Sequence, residues 1–348
     1  MSNTIDISLV NGLSGDPAVY CSIVQSGESI LFDAGSLESM TNRELLKVRV
    51  VAVTHTHVDH FIGFDRLIRV NIPHFRTVEV VGPEGIHANV EAKLKAYTWN
   101  LLEPGQINYI VHEVNAQGAV TTYQLSSDRH FDPLLLARAP AAGQRVVIPL
   151  QNVHAFSLFA ASLDHGMQVL AFELRLPDTL TVDKSSLQIS GLVAGPWIAE
   201  LQRLAGEARF DGQIDVHGTS HPVRELARQL LKPRVGDSVL YVTDILFCDA
   251  NVRAIQKLCR DSAGHFICEA NYRDADRAKA FSKYHLTTRQ AALLAATVKA
   301  RDFQIFHVSN IYAGDIESSV AESRNFFDEY SLLEPQALAA ACSQEFPS

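Results

Sequence analysis

Short apolar runs separated by turns dominate the first half of the chain, a pattern typical of β-strands, with one predicted helix at residues 84–97. After about residue 236, strands and helices alternate instead, and residues 316–342 are predicted to form a C-terminal helical cover. We therefore expect two halves, each a sheet with helices on its outer face. The predicted strands are residues 4–10, 18–24, 29–33, 48–54, 77–81, 107–114, 119–124, 238–243, 265–268 and 303–308.

Residues 176–236 form the least regular stretch, with short helices predicted at 198–205 and 222–231. The sequence before and after this stretch has the alternating apolar runs expected of one continuous hydrophobic core. We predict a single domain over residues 1–348 with residues 176–236 as an arm inserted within it.

Composition narrows the class of protein. The 348 residues are 47% hydrophobic and 20% charged, which excludes a disordered or fibrous chain. The net charge of -9 argues against a broad basic surface for nucleic acid, although a local basic patch remains compatible with it. Neither a membrane span nor a signal peptide is recognisable, and the five cysteines are scattered, so we expect a cytoplasmic protein with reduced thiols.

The strongest chemical signal is the sequence THTHVDHF, directly after the apolar strand at residues 48–54. His55, His57, Asp59 and His60 leave a strand end within six positions, and imidazoles and carboxylates are ligands of transition metals. A surface turn rich in histidine is the alternative, but it does not explain why an apolar strand leads straight into the motif. The spacing therefore predicts a metal site.

This motif resembles the signature of the metallo-β-lactamase superfamily. The resemblance implies a mixed α/β (α+β) fold, the αββα sandwich, with metals at the sheet edges. It assigns His55 and His57 to a first metal, and Asp59 and His60 to a second. A bridging aspartate and a last histidine are then expected at later strand ends, where Asp244 and His307 are the candidates.

The third ligand of the first metal has two candidates, His154 and His165. The segment LDHGMQVLAFEL at residues 163–174 resembles the Leu-Asp-His segment of ribonuclease Z, which favours His165. His154 lies in the apolar run NVHAFSLF and is interpreted as a histidine of the core or behind the ligands.

Further segments resemble ribonuclease Z along most of the chain. They are GPEGI at 82–86, GLVAGPW at 191–197, CEANY at 268–272, HLTTRQAA at 285–292 and HVSNIY at 307–312. By resemblance His285 protonates the leaving alkoxide, Glu269 holds His285, and Asp33 orients a ligand histidine, with Gly35 allowing a tight turn. The chain departs from the family after Gly35 and after His60, around the expected mouth of the active site, so these departures bear on the substrate rather than on the chemistry.

The seven ligands are rich in nitrogen, which favours two zinc ions per chain, although manganese or iron would also suit them. Such a pair activates water for hydrolysis, with Asp59, His285 and Glu269 as the catalytic residues beside it. The first hypothesis is a ribonuclease Z-like phosphodiesterase acting on RNA, at tRNA 3′ ends, with residues 176–236 gripping the substrate. The second is a hydrolase of a small phosphodiester such as a cyclic nucleotide, of an ester or of a lactone. The third, a non-catalytic scaffold, is disfavoured by the intact ligand set, and a homodimer is implied by the resemblance alone.

Overall fold

The computed structural model describes residues 4–141 and 143–346, and residues 1–3, 142 and 347–348 of the predicted 1–348 domain lie outside this part. The chain divides into two compact units. The first comprises Met1–Arg175 with Ser238–Ser348, and the second is Leu176–Asp237. Among the described helices, none has the length and apolar character that crossing a membrane requires.

The first unit contains an eight-stranded and a six-stranded sheet among the described residues. The strands of the first sheet are β1 Ile5–Leu9, β2 Val19–Ile23, β3 Ser29–Phe32, β4 Val48–Ala52, β5 Arg76–Pro83, β6 Ile107–Val114, β7 Val120–Ser126 and β8 Leu134–Ala139. The remaining strands are β9 Val146–Val147, β10 Ser157–Asp164, β11 Gln168–Arg175, β12 Thr179–Val182, β13 Gln213–Val216, β14 Thr219–Pro222, β15 Leu231–Arg234, β16 Ser238–Val242, β17 His265–Glu269 and β18 Asp302–Phe306.

Both sheets of the first unit have parallel strands at their centre. The first sheet runs β1 to β8 in chain order, and β3 to β6 are parallel. The second runs β18-β17-β16-β11-β10-β9, and β16 to β18 are parallel. All ten strands expected from the sequence are present. The strands β8 to β15 were not among those predicted. β8 reads LLLARA, which shows no alternation of apolar and polar positions although its side chains are nearly all exposed.

Helices cover the outer faces of the two sheets. The helices are α1 Asn42–Leu45, α2 Val58–Phe61, α3 Phe64–Asn71, α4 Ile86–Lys95, α5 Lys184–Ser190, α6 Trp197–Gly206, α7 Val223–Leu230, α8 Asp249–Leu258, α9 Arg277–Ser282, α10 Thr288–Thr297, α11 Ile316–Tyr330 and α12 Pro335–Glu345. α3 and α4 pack on the first sheet, whereas α8, α10, α11 and α12 pack on the second. The stretch expected to form the C-terminal cover therefore consists mainly of two helices.

The two sheets face each other through aromatic side chains. Phe32 on β3 stacks on Tyr241 of β16 with 5.1 Å between ring centroids, and lies 6.1 Å from Phe172 on β11. All three rings are fully buried. With helices on both outer faces, the first unit is the αββα sandwich that the sequence predicted.

The second unit, Leu176–Asp237, has a small core of its own. It contains two two-stranded antiparallel sheets, β12 with β15 and β13 with β14, and the helices α5, α6 and α7. Trp197, Leu201 and Leu230 are among the side chains buried between them. These bounds differ from the predicted arm, residues 176–236, by one residue.

A buried carboxylate anchors the segment that leads from the first sheet to the second. Glu79 on β5 accepts hydrogen bonds from the backbone N–H groups of Gln151 and Asn152, at 3.0 and 2.7 Å. Its other contact is His112 Nε2 on β6, at 2.8 Å. Burial alone raises the pKa of Glu79, but the hydrogen bonds from His112 and the backbone outweigh it, so the pKa lies below its ordinary value.

Replacing this carboxylate tests its contribution. Glu79→Gln should lower the free energy of unfolding at pH 7 by about 1–3 kcal/mol, because a buried donor loses its partner. Since the pKa is lowered by folding, the stabilisation is complete above about pH 4.3 and is lost as the pH falls through the folded-state pKa. Urea unfolding at pH 7 and at steps down to pH 3 should show the difference shrinking. Glu103→Gln, at an exposed position, is the control. An equal difference at every pH would contradict the account.

Candidate metal centre

The ends of parallel strands supply most of the predicted site. Asp33 follows β3, and the THTHVDHF motif begins two residues after β4 ends. In the second sheet Asp244 follows β16, Glu269 ends β17 and His307 follows β18. Because the carboxyl ends of parallel strands lie at one edge of a sheet, side chains distant in sequence meet there.

The structure groups these side chains into three sets whose ligand atoms lie within 4.8 Å of one another. The sets are His55, His57, His165 and Asp244; then Asp244, Glu269, His285 and His307; then Asp59, His60 and His307. Asp244 belongs to two of the sets and His307 to two. All nine residues of the predicted ligand and catalytic positions therefore form one continuous cluster.

Three imidazoles direct the same ring nitrogen toward Asp244. The Nε2 atoms of His55, His60 and His165 lie 3.8, 3.4 and 3.7 Å from Asp244 Oδ2. Each Nδ1 atom contacts a protein oxygen instead: Thr54 Oγ1 at 3.1 Å, Asp33 Oδ2 at 2.9 Å and Tyr284 O at 2.7 Å, respectively. This arrangement assigns an N–H to each Nδ1 and directs the three Nε2 atoms toward one carboxylate oxygen.

The donor set fits a transition metal. His60 Nε2 is fully buried and has no hydrogen-bond partner among the described residues. Burial, reinforced by His60, lowers the pKa of His55 to about 2, so this ring is neutral, as a metal ligand must be. Burial would raise the pKa of Asp244, but His307 and His60 outweigh it and hold the carboxyl well below its ordinary value.

Asp33 organises the base of the cluster. Its carboxylate is fully buried and accepts hydrogen bonds from Thr54 N at 2.7 Å, Thr54 Oγ1 at 3.0 Å and Tyr241 OH at 2.8 Å. With His60 Nδ1 as a fourth contact, the carboxylate joins the first sheet to Tyr241 of the second. The geometry matches the predicted position of Asp33 behind a ligand histidine.

Three residues of the site have backbone conformations that L-amino acids rarely adopt. Asp33, Asp244 and His307 have φ angles of 55°, 50° and 53°, each within two residues of the end of a strand. A left-handed residue turns the chain sharply at the end of the strand. At these three positions the side chain contacts the cluster. Strained backbone of this kind clusters at functional sites.

A second carboxylate holds His285. His285 Nδ1 lies 2.8 Å from Glu269 Oε2, and Glu269 is fully buried. Glu269 Oε1 also accepts a hydrogen bond from Ile245 N at 2.9 Å, which fixes its orientation. Burial lowers the pKa of His285, but the charge and hydrogen bond of Glu269 outweigh it, so the net pKa is raised.

Comparisons with known proteins agree with this geometry. The chain is 30% identical to ribonuclease Z of Deinococcus radiodurans over 287 residues, which cover 81% of this chain and 83% of that protein. It is 27% identical to ribonuclease Z of Geobacillus kaustophilus over 323 residues, covering 88% and 87% of the two chains. No protein-family model matches. The chain belongs to the ribonuclease Z family.

Solved structures show the same fold. The short form of human tRNase Z superposes with a TM-score of 0.50 at 19% identity, over 90% of this chain and 94% of that one. The metallo-β-lactamase fold protein YhfI of Bacillus subtilis superposes with a TM-score of 0.51 at 13% identity, over 92% of both chains. The predicted αββα metallo-β-lactamase fold is confirmed. As a member of the ribonuclease Z family, the chain is a metal-dependent hydrolase.

Two interpretations made from the sequence need correction. His154 was expected in the core or behind the ligands, but its side chain is exposed and it belongs to none of the three sets. Gly35 was expected to allow a tight turn, yet its φ is not positive. Its role is close packing, because a Cβ there would lie 2.5 Å from the carbonyl oxygen of Asp59.

Thr54, Tyr241 and Tyr284 contact the site residues and were missed from the sequence. Thr54 is part of the quoted motif, but a threonine directly before the first histidine of that motif carries no distinct signal. Tyr241 stands in an apolar strand, and Tyr284 acts through its backbone carbonyl. Neither contact has a local sequence pattern that could have revealed it.

Proposed function

We propose that this member of the ribonuclease Z family is a phosphodiesterase that uses two zinc ions to process RNA at tRNA 3′ ends. The observation that carries the proposal is the convergence of three imidazole Nε2 atoms on the buried Asp244 carboxylate. Each of these rings is held by a separate protein oxygen. Such a nitrogen-rich, oriented set favours zinc over magnesium or calcium.

Two metal positions would share Asp244. His55, His57 and His165 would hold the first ion, since they form one set with this carboxylate. Asp59, His60 and His307 would hold the second ion, since they form the neighbouring set. Asp244 would serve both positions, because its Oδ2 lies 3.8 and 3.7 Å from the Nε2 atoms of His55 and His165, and its Oδ1 lies 2.9 Å from His307 Nδ1. The ions, when bound, would lower the pKa of a water molecule and neutralise charge on the phosphodiester oxygens.

The protein's own groups have separate tasks in this reaction. Asp59 faces the second metal position and, with a side chain two-fifths exposed, reaches the solvent side of the cluster. His285 would protonate the leaving alkoxide oxygen from its Nε2 atom, because Nδ1 is engaged by Glu269. Glu269 would fix the ring orientation and favour its protonated form, as the raised pKa of His285 supports.

The choice of RNA rests on relatives and on the second unit. The curated relatives are named ribonuclease Z, and one structural neighbour is a tRNase Z. Within Leu176–Asp237 many cations are paired, since Arg203, Arg224 and Lys232 contact carboxylates at 3.0 Å or less. Lys184, Arg228 and Arg234 are exposed and lie outside these ion pairs, so they are candidates for phosphate contacts, and the two arginines are tested below. We propose that this unit is an inserted arm that grips RNA, and that the protein is a homodimer, as the resemblance implies.

The metal count is the first test. Protein loaded with zinc should contain two ions per chain by elemental analysis, because seven ligands are too many for one tetrahedral site. His165→Ala should lose about one ion, whereas the matched control His154→Ala should keep both. One ion or none in the wild-type protein would contradict the dinuclear site, and metal loss in His154→Ala alone would reassign the ligand.

The second test separates catalysis from metal binding. His285→Ala should keep both ions but lower kcat on a phosphodiester by about 100-fold to 10,000-fold, the range for a positioned acid or base. Glu269→Gln should lower kcat less, because His285 remains but loses the carboxylate that orients it. His74→Ala, at an exposed histidine, should match the wild-type protein. Loss of an ion from His285→Ala would show that His285 is a ligand.

The third test concerns the substrate. Arg228→Ala with Arg234→Ala should lower kcat/KM on a 3′-extended precursor tRNA and leave a small aryl phosphodiester unaffected, because remote contacts matter only for the polymer. Arg253→Ala with Arg260→Ala, at two exposed arginines outside this unit, is the charge-matched control. Equal losses on both substrates would contradict the arm's role. If intact protein cuts no RNA but turns over a cyclic nucleotide, an ester or a lactone, the small-substrate hypothesis replaces this one.

A further inference from the structure

One ligand of the first metal position lies at the tip of a hairpin. His165 belongs to the turn of residues 165–167, which connects β10 to β11. On one side Asn251 of α8 holds this turn, because its side chain accepts a hydrogen bond from Asp164 N and donates one to Asp164 O, both at 2.9 Å. These contacts fix the backbone before His165, but its imidazole ring must be oriented from elsewhere.

Tyr284 contacts the same turn from another element, through two different groups. Its carbonyl oxygen lies 2.7 Å from His165 Nδ1. Its ring lies over Gly166, where an added Cβ would come within 3.3–3.5 Å of three ring atoms. Gly166 has a φ of 71° and no side chain, so the ring rests directly on the backbone of the turn. One residue therefore contacts both the imidazole and the turn that carries it.

The C-terminal cap of α9 fixes Tyr284. Tyr284 N donates to Phe281 O at 3.1 Å, and His285 N donates to Ala280 O at 3.0 Å. This pair of hydrogen bonds is the Schellman motif, in which the left-handed position is usually glycine. Tyr284 occupies that position with a φ of 59°. A residue retained where glycine would be less strained points to a use for its side chain.

The same cap places the proton donor of the proposed reaction. His285 follows Tyr284 directly, and its backbone N–H makes the second hydrogen bond of the cap. Beyond His285, the backbone of residues 286–288 exchanges two hydrogen bonds with that of Tyr272, at 3.2 and 2.8 Å. The chain is thus held on both sides of His285, whose ring centroid lies 5.2 Å from that of His165. One short segment positions both a ligand and the proton donor.

We propose that Tyr284 is a positioning residue, whose ring and carbonyl together hold the turn of His165 in a fixed place relative to His285. The part of His285 in this statement rests on the proposed phosphodiesterase function. Groups that orient a metal-binding histidine influence metal affinity, and their loss lowers it about 10-fold to 100-fold. Without the ring of Tyr284, the turn would be free to move and would carry the imidazole away from Asp244.

Zinc affinity tests the ring without requiring turnover. Tyr284→Gly removes the ring but suits the left-handed cap, so α9 and the carbonyl should keep their places. Competition with a chromophoric chelator should show one bound ion held about tenfold more weakly. The unfolding temperature of the metal-free protein should change little, because relief of backbone strain offsets the lost ring contacts. Tyr284→Phe keeps the ring and should match the wild-type protein, as should Tyr97→Gly, at a tyrosine of similar exposure outside the site.

A double-mutant cycle tests the contact from the side of the turn. Gly166→Ala places a methyl group against the Tyr284 ring and should also weaken zinc binding. In the Tyr284→Gly background the same substitution should weaken it about fivefold less, because residues in contact are coupled. Additive effects of the two substitutions would show that the ring does not hold the turn.

Kinetics test the link to His285. At saturating zinc, Tyr284→Gly should lower kcat on a phosphodiester about tenfold and leave KM nearly unchanged, because a misplaced proton donor slows the chemical step. Unchanged kcat would overturn this link.

The outcomes separate this proposal from the function on which it rests. Unchanged zinc affinity in folded Tyr284→Gly would overturn it, as would an equal fall in Tyr97→Gly. A large fall in the unfolding temperature of metal-free Tyr284→Gly would also overturn it, because the residue would then support the fold in general. If zinc affinities change as expected but no phosphodiester is cleaved, the positioning of His165 stands and the phosphodiesterase function fails.

Discussion

The buried carboxylate of Asp33 is the contact on which the arrangement of the site depends. It accepts hydrogen bonds from Thr54, orients His60 and receives the hydroxyl of Tyr241 from the opposite sheet. One group thus fixes a loop, a ring and the spacing of two sheets at the same point. A buried carboxylate is stable only with such a full set of partners, so the sandwich must close correctly before the ligand set is complete.

The site shows how a fold can bring sequence-distant ligands together. His55 and His60 come from one motif, in which His60 lies on α2, but His165, Asp244 and His307 come from three later segments. Each of the latter three residues sits at or near the end of a largely buried strand. The hydrogen bonds to the Nδ1 atoms then fix each ring, so the ligand geometry is largely formed by the protein itself.

The sequence could predict the features that have local patterns. Ten strands were found because their apolar runs end in turns, and Asp244 and His307 were chosen because each follows such a run where the family resemblance requires a ligand. β8 escaped prediction because its sequence, LLLARA, lacks the alternation of apolar and polar residues typical of a strand with one exposed face. The contacts of Tyr241 with Asp33 and of Tyr284 with His165 span 208 and 119 positions, and only the packing of the chain creates them. The exposure of His154 likewise depends on the packing of the loop that contains it, which the local sequence does not reveal.

The left-handed backbone at Asp33, Asp244 and His307 has an evolutionary consequence. Each non-glycine residue in such a conformation is unfavourable by about 1–3 kcal/mol, a backbone cost that glycine would remove. At Asp33 the buried hydrogen bonds of the side chain offset this cost, whereas at Asp244 and His307 selection for the ligand chemistry retains the strained residues. Where that selection is relaxed, a descendant would drift to glycine at Asp244 and His307 but keep Asp33. A homologue with that pattern would have kept the architecture and abandoned the hydrolytic centre.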